Sequence, residues 1–261
     1  MKKIQPRSRV QWGLSFRFLQ AMRRLPPIAC GLAIACAEPS ALRPSSLPVS
    51  SEARGGADQV PLAPTRQPGN IESRHDFVDI ARLDASIRVD LRYATANNFT
   101  GQAVYPPSAR CYLRARVAQR LQAVQRELST QGLGLKVFDC YRPLSVQRRF
   151  FALVPDERYV ANPSKGSRHN RGAAVDLTLV DAAGAEQPMP TAFDDFSERA
   201  HRDFMALPNE AIANRARLEA AMTHQGFVPL PTEWWHFDDR DAKTDPLADV
   251  SFDELARSNA H

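Results

Sequence analysis

Between residues 113 and 128 apolar side chains recur at Leu113, Val117, Leu121, Val124 and Leu128, the three-and-four spacing that lines one face of an α-helix. Gly132 and Gly134 follow and predict its end, since glycine takes the backbone angles of a helix stop without steric cost. Upstream the period changes. From Ile87 to Tyr93 the chain alternates, Ile87, Val89 and Leu91 against Arg88, Asp90 and Arg92, which predicts a strand with one face in water. Leu135 to Tyr141 predicts a second strand closed by Pro143, Ser145 to Leu153 a short helix capped by Ser145, and Ala173 to Val180 a third strand. A helix over Asn209 to His224 carries Ile212, Leu218 and Met222 and stops at Gly226, and Trp234 to Asp238 predicts a last strand. Strands and helices joined by connections of such unequal length argue for an α+β fold with a mainly antiparallel sheet, rather than repeated parallel units.

The periodic part runs from near Ser73 to about Leu255, about 180 residues, enough for one well-buried core. It shows no internal repeat and no second boundary, so residues 73–261 are read as a single domain. Residues 37–72 are rich in Pro, Ser, Ala and Gly, without apolar period, and read as a linker.

Charge changes the picture at the N-terminus. Seven of the 34 Lys and Arg residues lie between Met1 and Arg24, where no acid occurs, leaving 27 basic residues against 29 acidic in the rest of the chain. The pI near 9.2 therefore belongs to the leader, and a domain without basic excess argues against nucleic acid as a partner. The basic stretch ends at Arg23 and Arg24 and runs into the apolar segment Leu25 to Ala35, a pattern that resembles an export signal over residues 1–36. That segment is too short to cross a bilayer, which takes about 20 apolar residues. Leu32-Ala33-Ile34-Ala35-Cys36 is similar to a loose lipobox, with Ala33 where a strict one has Leu, and Met22 stands where the start of an ordinary short signal would lie. The expected location is the cell envelope, in the periplasm, with a lipid on Cys36 as the membrane attachment; a disordered basic tail on a cytoplasmic protein is the alternative. Export would permit a disulfide between Cys111 and Cys140, but the sequence supplies no distance, and two buried free thiols are an equal reading.

The candidate chemistry lies in two segments. In Ser167-Arg168-His169-Asn170-Arg171-Gly172-Ala173-Ala174-Val175-Asp176, strand alternation gives Val175, Leu177 and Leu179 to the core and turns Asp176 to the opposite face. His169 precedes the strand in a loop with Gly166 and Gly172, which lets the chain fold back. One imidazole and one carboxylate are zinc donors, and a catalytic site needs a third. Glu233-Trp234-Trp235-His236-Phe237 offers His236 as that ligand and Glu233 as a base for the attacking water. Residues three apart in a flat strand face opposite sides, so Glu233 is expected on the turn after Pro231, and the Trp pair is expected to wall the site. Taken singly, each feature has a plainer reading: a packing histidine, a turn aspartate, an interior aromatic pair. Together they supply complementary parts of one site.

Ser167-x-His169-x-x-Gly172-x-Ala174-x-Asp176 followed by Glu233-Trp234-Trp235-His236 resembles the zinc D-Ala-D-Ala dipeptidases of the VanX type, relatives of the zinc D,D-carboxypeptidases. The resemblance extends through Asp90-Leu91-Arg92-Tyr93-Ala94-Thr95, Asn98-Phe99-Thr100-Gly101 and Tyr141-Arg142-Pro143. It implies a small α+β domain of the D,D-peptidase/Hedgehog-like kind, with flanking helices and an antiparallel sheet that bears one zinc ion. By the same resemblance His169, Asp176 and His236 would hold the zinc, Glu233 would be general base and later proton donor, and Arg142 would stabilise the oxyanion. Asp194 would pair with the substrate ammonium, assisted by Tyr93 and Ser167, with Asp195 as a neighbouring competitor. The plainer role for Arg142 is a salt bridge at a strand end, and for both acids a cap on the helix after them. Arg168 and Asn170 depart from the pattern, standing where Ser would be tolerated.

The implied activity is hydrolysis of the small dipeptide D-Ala-D-Ala to two D-alanines. A D,D- or L,D-carboxypeptidase trimming peptidoglycan stems is the alternative with the same site. A non-catalytic zinc-bearing wall-binding domain is the alternative from another class, and it leaves Glu233 without purpose.

Overall fold

Residues Ala174–Asp181 form a strand buried along nearly its whole length, and a strand with no wet face belongs in the middle of its sheet. The computed structural model, which describes residues 76–259, places it there. The expected leader, Cys36 and the linker to residue 72 lie outside the described residues. In chain order the elements are β1 (Phe77–Asp79), α1 (Ile80–Leu83), β2 (Arg88–Val89), β3 (Tyr112–Arg114), α2 (Ala115–Ser129), β4 (Leu133–Asp139), α3 (Leu144–Leu153), β5 (Ala174–Asp181), α4 (Asn209–His224), β6 (Phe227–Pro229), β7 (His236–Asp239) and α5 (Phe252–Ser258). The main sheet has the order β2-β4-β5-β7-β6. Its edge pair β2 and β4 is parallel and its other neighbours are antiparallel, so the α+β, mainly antiparallel reading describes it. Strands β1 and β3 form a separate antiparallel pair.

The helix stripe buries as its period requires. Val117, Leu121, Val124 and Leu128 of α2 are fully buried together with Leu218 and Met222 of α4 and with Val175, Leu177 and Leu179 of β5. Burial of each such side chain stabilises by roughly 1.5 to 3 kcal/mol. Gln125 joins this contact, its side-chain oxygen accepting from the Leu135 amide at 2.9 Å, so the helix also meets the end of β4 through a hydrogen bond. A second, largely aromatic cluster contains Phe77, Tyr93, Tyr105, Tyr141, Phe150 and Phe252. Arg116 and Arg120 of α2 both reach the fully buried carboxylate of Asp239 at the end of β7, which fixes that strand against the helix.

Several boundaries differ from the sequence expectation. The strand expected over Ile87 to Tyr93 is paired only at Arg88 and Val89, and Arg92–Ala94 is a 3-10 turn. The ladder to β4 ends after the Asp90 amide donates to the Val137 carbonyl at 2.8 Å, at the point where β4 also shifts register against β5, between Val137 and Asp139. Leu113 belongs to β3 and not to the helix that follows. Helix α3 begins one residue before Ser145, and Ser145 does not cap it; the Ser145 amide instead donates to Asp249 at 2.7 Å. The last strand starts at His236, because Trp234 and Trp235 lie on the turn before it. The three-residue strands β1, β3 and β6 are too short to show a period. Helix α5 is announced by its capping box, Ser251 and Glu254 each bonding the other's backbone amide.

Cys111 and Cys140 form a disulfide with a Cα–Cα distance of 5.3 Å, which decides between the two readings of that pair. It closes a loop with a sequence separation of 29, and on the chain-entropy account such a closure stabilises by about 3 to 4 kcal/mol. Replacing both cysteines by alanine should lower the unfolding free energy, read by urea denaturation, by about 2 to 4 kcal/mol. A loss under about 1 kcal/mol would show that the closure contributes little.

Candidate metal centre and substrate cleft

Asp176 and His236 are direct cross-strand partners in the β5–β7 ladder. Side chains so paired leave the sheet on one face, with Cβ atoms about 4.5 to 5.5 Å apart. The register alone therefore brings the Asp176 Oδ1 within 2.9 Å of the His236 Nδ1. His169 arrives from outside the sheet, on the 3-10 turn His169–Arg171 that Gly172 ends with φ +67°. A Cβ on Gly172 would lie 2.3 Å from the Phe77 ring, so both the backbone angle and the space demand glycine. The turn sets the His169 Nε2 at 3.2 Å from the His236 Nδ1 and 3.4 Å from the Asp176 Oδ1.

These donors suit a metal ion. One atom from each of the three buried residues lies within 4.8 Å of the others. The outward nitrogen of each ring is taken: His169 Nδ1 donates to the Cys140 carbonyl at 2.7 Å, and His236 Nε2 meets Asp238 Oδ1 at 2.9 Å. Both outer partners are acceptors, so in neutral rings the inward nitrogens carry the lone pairs, the arrangement that orients metal-binding histidines. Burial penalises the charge of Asp176, yet the neighbouring imidazoles outweigh it and its pKa is lowered. Burial likewise opposes a charge on His236, but hydrogen bonds to Asp176 and Asp238 lift it to about 10. A metal cation competes with that proton for the same lone pair.

Eight of the side chains given roles in the sequence line one cleft of about 250 Å³: Tyr93, Arg142, Ser167, His169, Asp176, Asp194, Glu233 and His236. Of the expected Trp pair only Trp235 lines it; Trp234 donates its indole N–H to the Thr191 hydroxyl at 2.9 Å. Glu233 sits on the turn between Pro231 and β7, its carboxylate 4.0 Å from the His236 Nδ1, and burial raises its pKa to about 7. Arg142 is buried and held by Asp139, through its Nε at 3.1 Å and Nη2 at 2.7 Å, and by Gln147 at 2.9 Å. Three of the five guanidinium N–H groups are thus engaged. One on each Nη is left over. The plainer reading of Arg142 as a salt-bridge residue is therefore part of the geometry and coexists with its place in the cleft wall.

Asp194 and Asp195 separate cleanly. Asp194 has φ +61°, a conformation disfavoured for a residue with a side chain. It accepts from the Tyr93 hydroxyl at 3.0 Å and from the Phe99 amide at 3.1 Å, and burial pushes its pKa up to about 8. Asp195 does not line the cleft; it accepts from the Ser197 amide at 2.9 Å, ahead of the turn Glu198–Ala200. Ser167 accepts from the His169 amide at 3.2 Å. Asn170, a departure from the family pattern, is fully buried and joins two parts of the site, accepting from the Ser167 amide at 2.7 Å and donating to the Arg142 carbonyl at 2.8 Å.

Sequence reasoning missed Asp139, Gln147 and Asp238. Each supports a residue it did find, and Asp238 carried a readable signal, since it lies two residues beyond His236 on the same strand face.

The family profile of the M15 peptidases, described as D-Ala-D-Ala dipeptidase, matches residues 73–255. The chain is 38% identical over 172 residues to the D-alanyl-D-alanine dipeptidase of Escherichia coli (strain K12), a match that covers 66% of this chain and 89% of that protein. It is 35% identical over 198 residues to the D-alanyl-D-alanine dipeptidase of Enterococcus faecium, covering 68% and 96%. Among solved structures, the vancomycin-resistance D,D-pentapeptidase VanY in complex with Zn(II) superposes with a TM-score of 0.34 at 18% identity, covering 56% of this chain and 84% of its own. By the span of the profile and the two dipeptidase matches, the chain belongs to the D-Ala-D-Ala dipeptidase family of M15 peptidases.

Proposed function

We propose that this protein hydrolyses D-Ala-D-Ala to two D-alanines with one zinc ion held by His169, Asp176 and His236. The observation that carries the reading is Asp194: a buried carboxylate in the same cleft as the three donors, with no cation at ion-pair distance among the described residues. A buried acid without a partner is costly, and the free ammonium of a dipeptide supplies one. An N-acylated peptide lacks that ammonium and leaves Asp194 unpaired, which disfavours longer chains.

Zinc, when bound, supplies a Lewis acid that polarises the scissile carbonyl and makes water more acidic. The chain's own groups do the rest. Glu233, its carboxylate lifted toward neutrality by burial, takes a proton from the attacking water and returns it to the departing amine. Arg142 presents its remaining N–H groups to the carbonyl oxygen as negative charge develops there, in an orientation that Asp139 and Gln147 fix in advance. Tyr93 shares Asp194 with the ammonium through its hydroxyl, and Ser167 offers a further hydroxyl. The buried Trp235, with Phe99 and Phe150, walls the cleft and lowers the local dielectric in which these charges act.

The proposed setting is the cell envelope, reached through the leader over residues 1–36. Support comes from the pattern of that leader and from the Cys111–Cys140 disulfide, which an oxidising compartment sustains.

Purified protein should lose D-Ala-D-Ala turnover on treatment with a zinc chelator and regain it with added zinc. Glu233→Gln should retain zinc and lose about 100- to 10,000-fold in kcat, the range for removal of a general base. Unchanged turnover in that variant would remove Glu233 from the mechanism.

The acidity of Asp194 predicts a second effect. Its raised pKa leaves it largely protonated below about 8, and the ammonium binds the ionised form, so dipeptide binding expels a proton. The KM for D-Ala-D-Ala should fall as pH rises from about 6 to about 7, below the range near 7.7 to 8.0 where the substrate amine itself deprotonates. In Asp194→Asn the KM should be higher and this pH dependence absent, while turnover of an N-acylated dipeptide should not fall.

A further inference from the structure

A dipeptide brings two charges into the cleft, and Asp194 accounts for only the ammonium. The carboxylate lies on the other amino acid, with its carbon roughly 4 Å from the scissile carbon, and it needs donors near the metal. Three arginines line the cleft: Arg142, Arg158 and Arg168. Arg142 is bound to Asp139 and Gln147, and its remaining N–H groups face the reacting carbonyl in the mechanism above. Arg158 is 76% exposed and turned back on Asp156, which its Nε and Nη2 both contact.

Arg168 differs from both. It stands between Ser167 and His169, and its backbone carbonyl accepts from the Arg171 and Ala173 amides, which fixes where its side chain starts. Its Nε lies 3.4 Å from the Asp238 carboxylate, and that carboxylate holds the outer nitrogen of His236. The stem is therefore anchored one imidazole width from the metal donors. Among the described residues the Arg168 side chain donates no hydrogen bond and has no ion pair other than this one with Asp238. A guanidinium that meets one carboxylate from its Nε side and donates no hydrogen bond keeps planar donors for a second carboxylate. The adjoining surface depression shares Arg168 and Asp238 and adds Arg240 and Lys243. The acid beneath it, Asp239, is ion-paired with Arg116 and Arg120, and Arg240 faces Asp241 at 3.8 Å.

We propose that Arg168 binds the C-terminal carboxylate of the dipeptide and makes the enzyme selective for a free acid at that end. The proposal rests on the dipeptidase reading of the site. It makes recognition bipolar: Asp194 takes the ammonium of the first residue and Arg168 the carboxylate of the second. Both ends of the substrate are then read by charge, and a ligand of the wrong length leaves one charge unmet.

The test compares D-Ala-D-Ala with its C-terminal amide, using the zinc-loaded full chain and the variants Arg168→Met and Arg168→Lys, with zinc content measured in each. Wild-type protein should prefer the free acid. Arg168→Met should raise the KM for D-Ala-D-Ala by about 10- to 100-fold, as expected for loss of a hydrogen bond to a charged group. Its kcat, its zinc content and its KM for the amide should stay near wild type, and Arg168→Lys should recover part of the loss. Equal loss on acid and amide, or loss of zinc, would place Arg168 as a support for Asp238 and His236 and overturn the proposal, as would an unchanged KM. Wild-type protein that turns over neither substrate would sink the dipeptidase reading itself, and this assignment with it.

Discussion

A single buried carboxylate, Asp176, sets the terms for the rest of the site. An ionised group removed from water is tolerable only beside opposite charge or strong donors, and the groups that face it are two imidazoles, at 2.9 and 3.4 Å, which meet the demand when protonated or when all three hold a cation between them. Neither can wander. His236 is its cross-strand partner, fixed by the ladder, and His169 is drawn in by a turn that closes on glycine. The demands then spread outward. Each ring must be held on its far side, by the Cys140 carbonyl in one case and Asp238 in the other, and Cys140 is in turn bridged to Cys111. The core under β5 and the arginine clamp on Asp239 keep the strands from shifting relative to one another.

A second buried acid organises the opposite wall in the same manner. Asp139 is fully enclosed and takes the Arg142 guanidinium twice and the Tyr105 hydroxyl at 2.7 Å. It comes within reach because β4 shifts register just before it, which turns the Tyr141-Arg142-Pro143 corner toward the cleft. Bulges near active sites commonly re-aim a side chain in this way. The β2–β4 ladder ends at Val137, next to the same irregularity. The same early ending frees Tyr93 to enter a 3-10 turn and donate to Asp194.

What the sequence disclosed follows the range of the interactions involved. The long helices and the central strand were legible because their periods are local, and the boundaries of Asn209–His224 agree to the residue. Asp176 and His236 could be picked out because donor-type residues recur in two short motifs, and Glu233 because the spacing to His236 placed it on a turn. The motif-level likeness to a known family supplied Asp194 and Tyr93, and the roles of Arg142 and Ser167, which no period or spacing singles out. Parts that depend on contacts between distant segments stayed hidden or undecided: the parallel pairing of β2, the three-residue strands, the choice between a disulfide and two free thiols, and the support that Asp139, Gln147 and Asp238 give. Asn170 illustrates the limit. In the sequence it is a deviation from a motif, and in the fold it is the buried amide that ties the Ser167 loop to the Arg142 corner.

The pairing of Asp176 with His236 also governs how this chain can drift over time. Strand faces alternate with period two, so one residue gained or lost on β5 before Asp176, or on β7 after His236, would slide the ladder and send donors to opposite sides of the sheet. Point changes along these strands alter fit, whereas changes in length there erase the coordination geometry altogether. The hairpin between β5 and its bridge partner Glu186 lies beyond that constraint. Insertions and deletions should therefore accumulate around Ala182 and Ala183 and be excluded from the few residues flanking the two ligands.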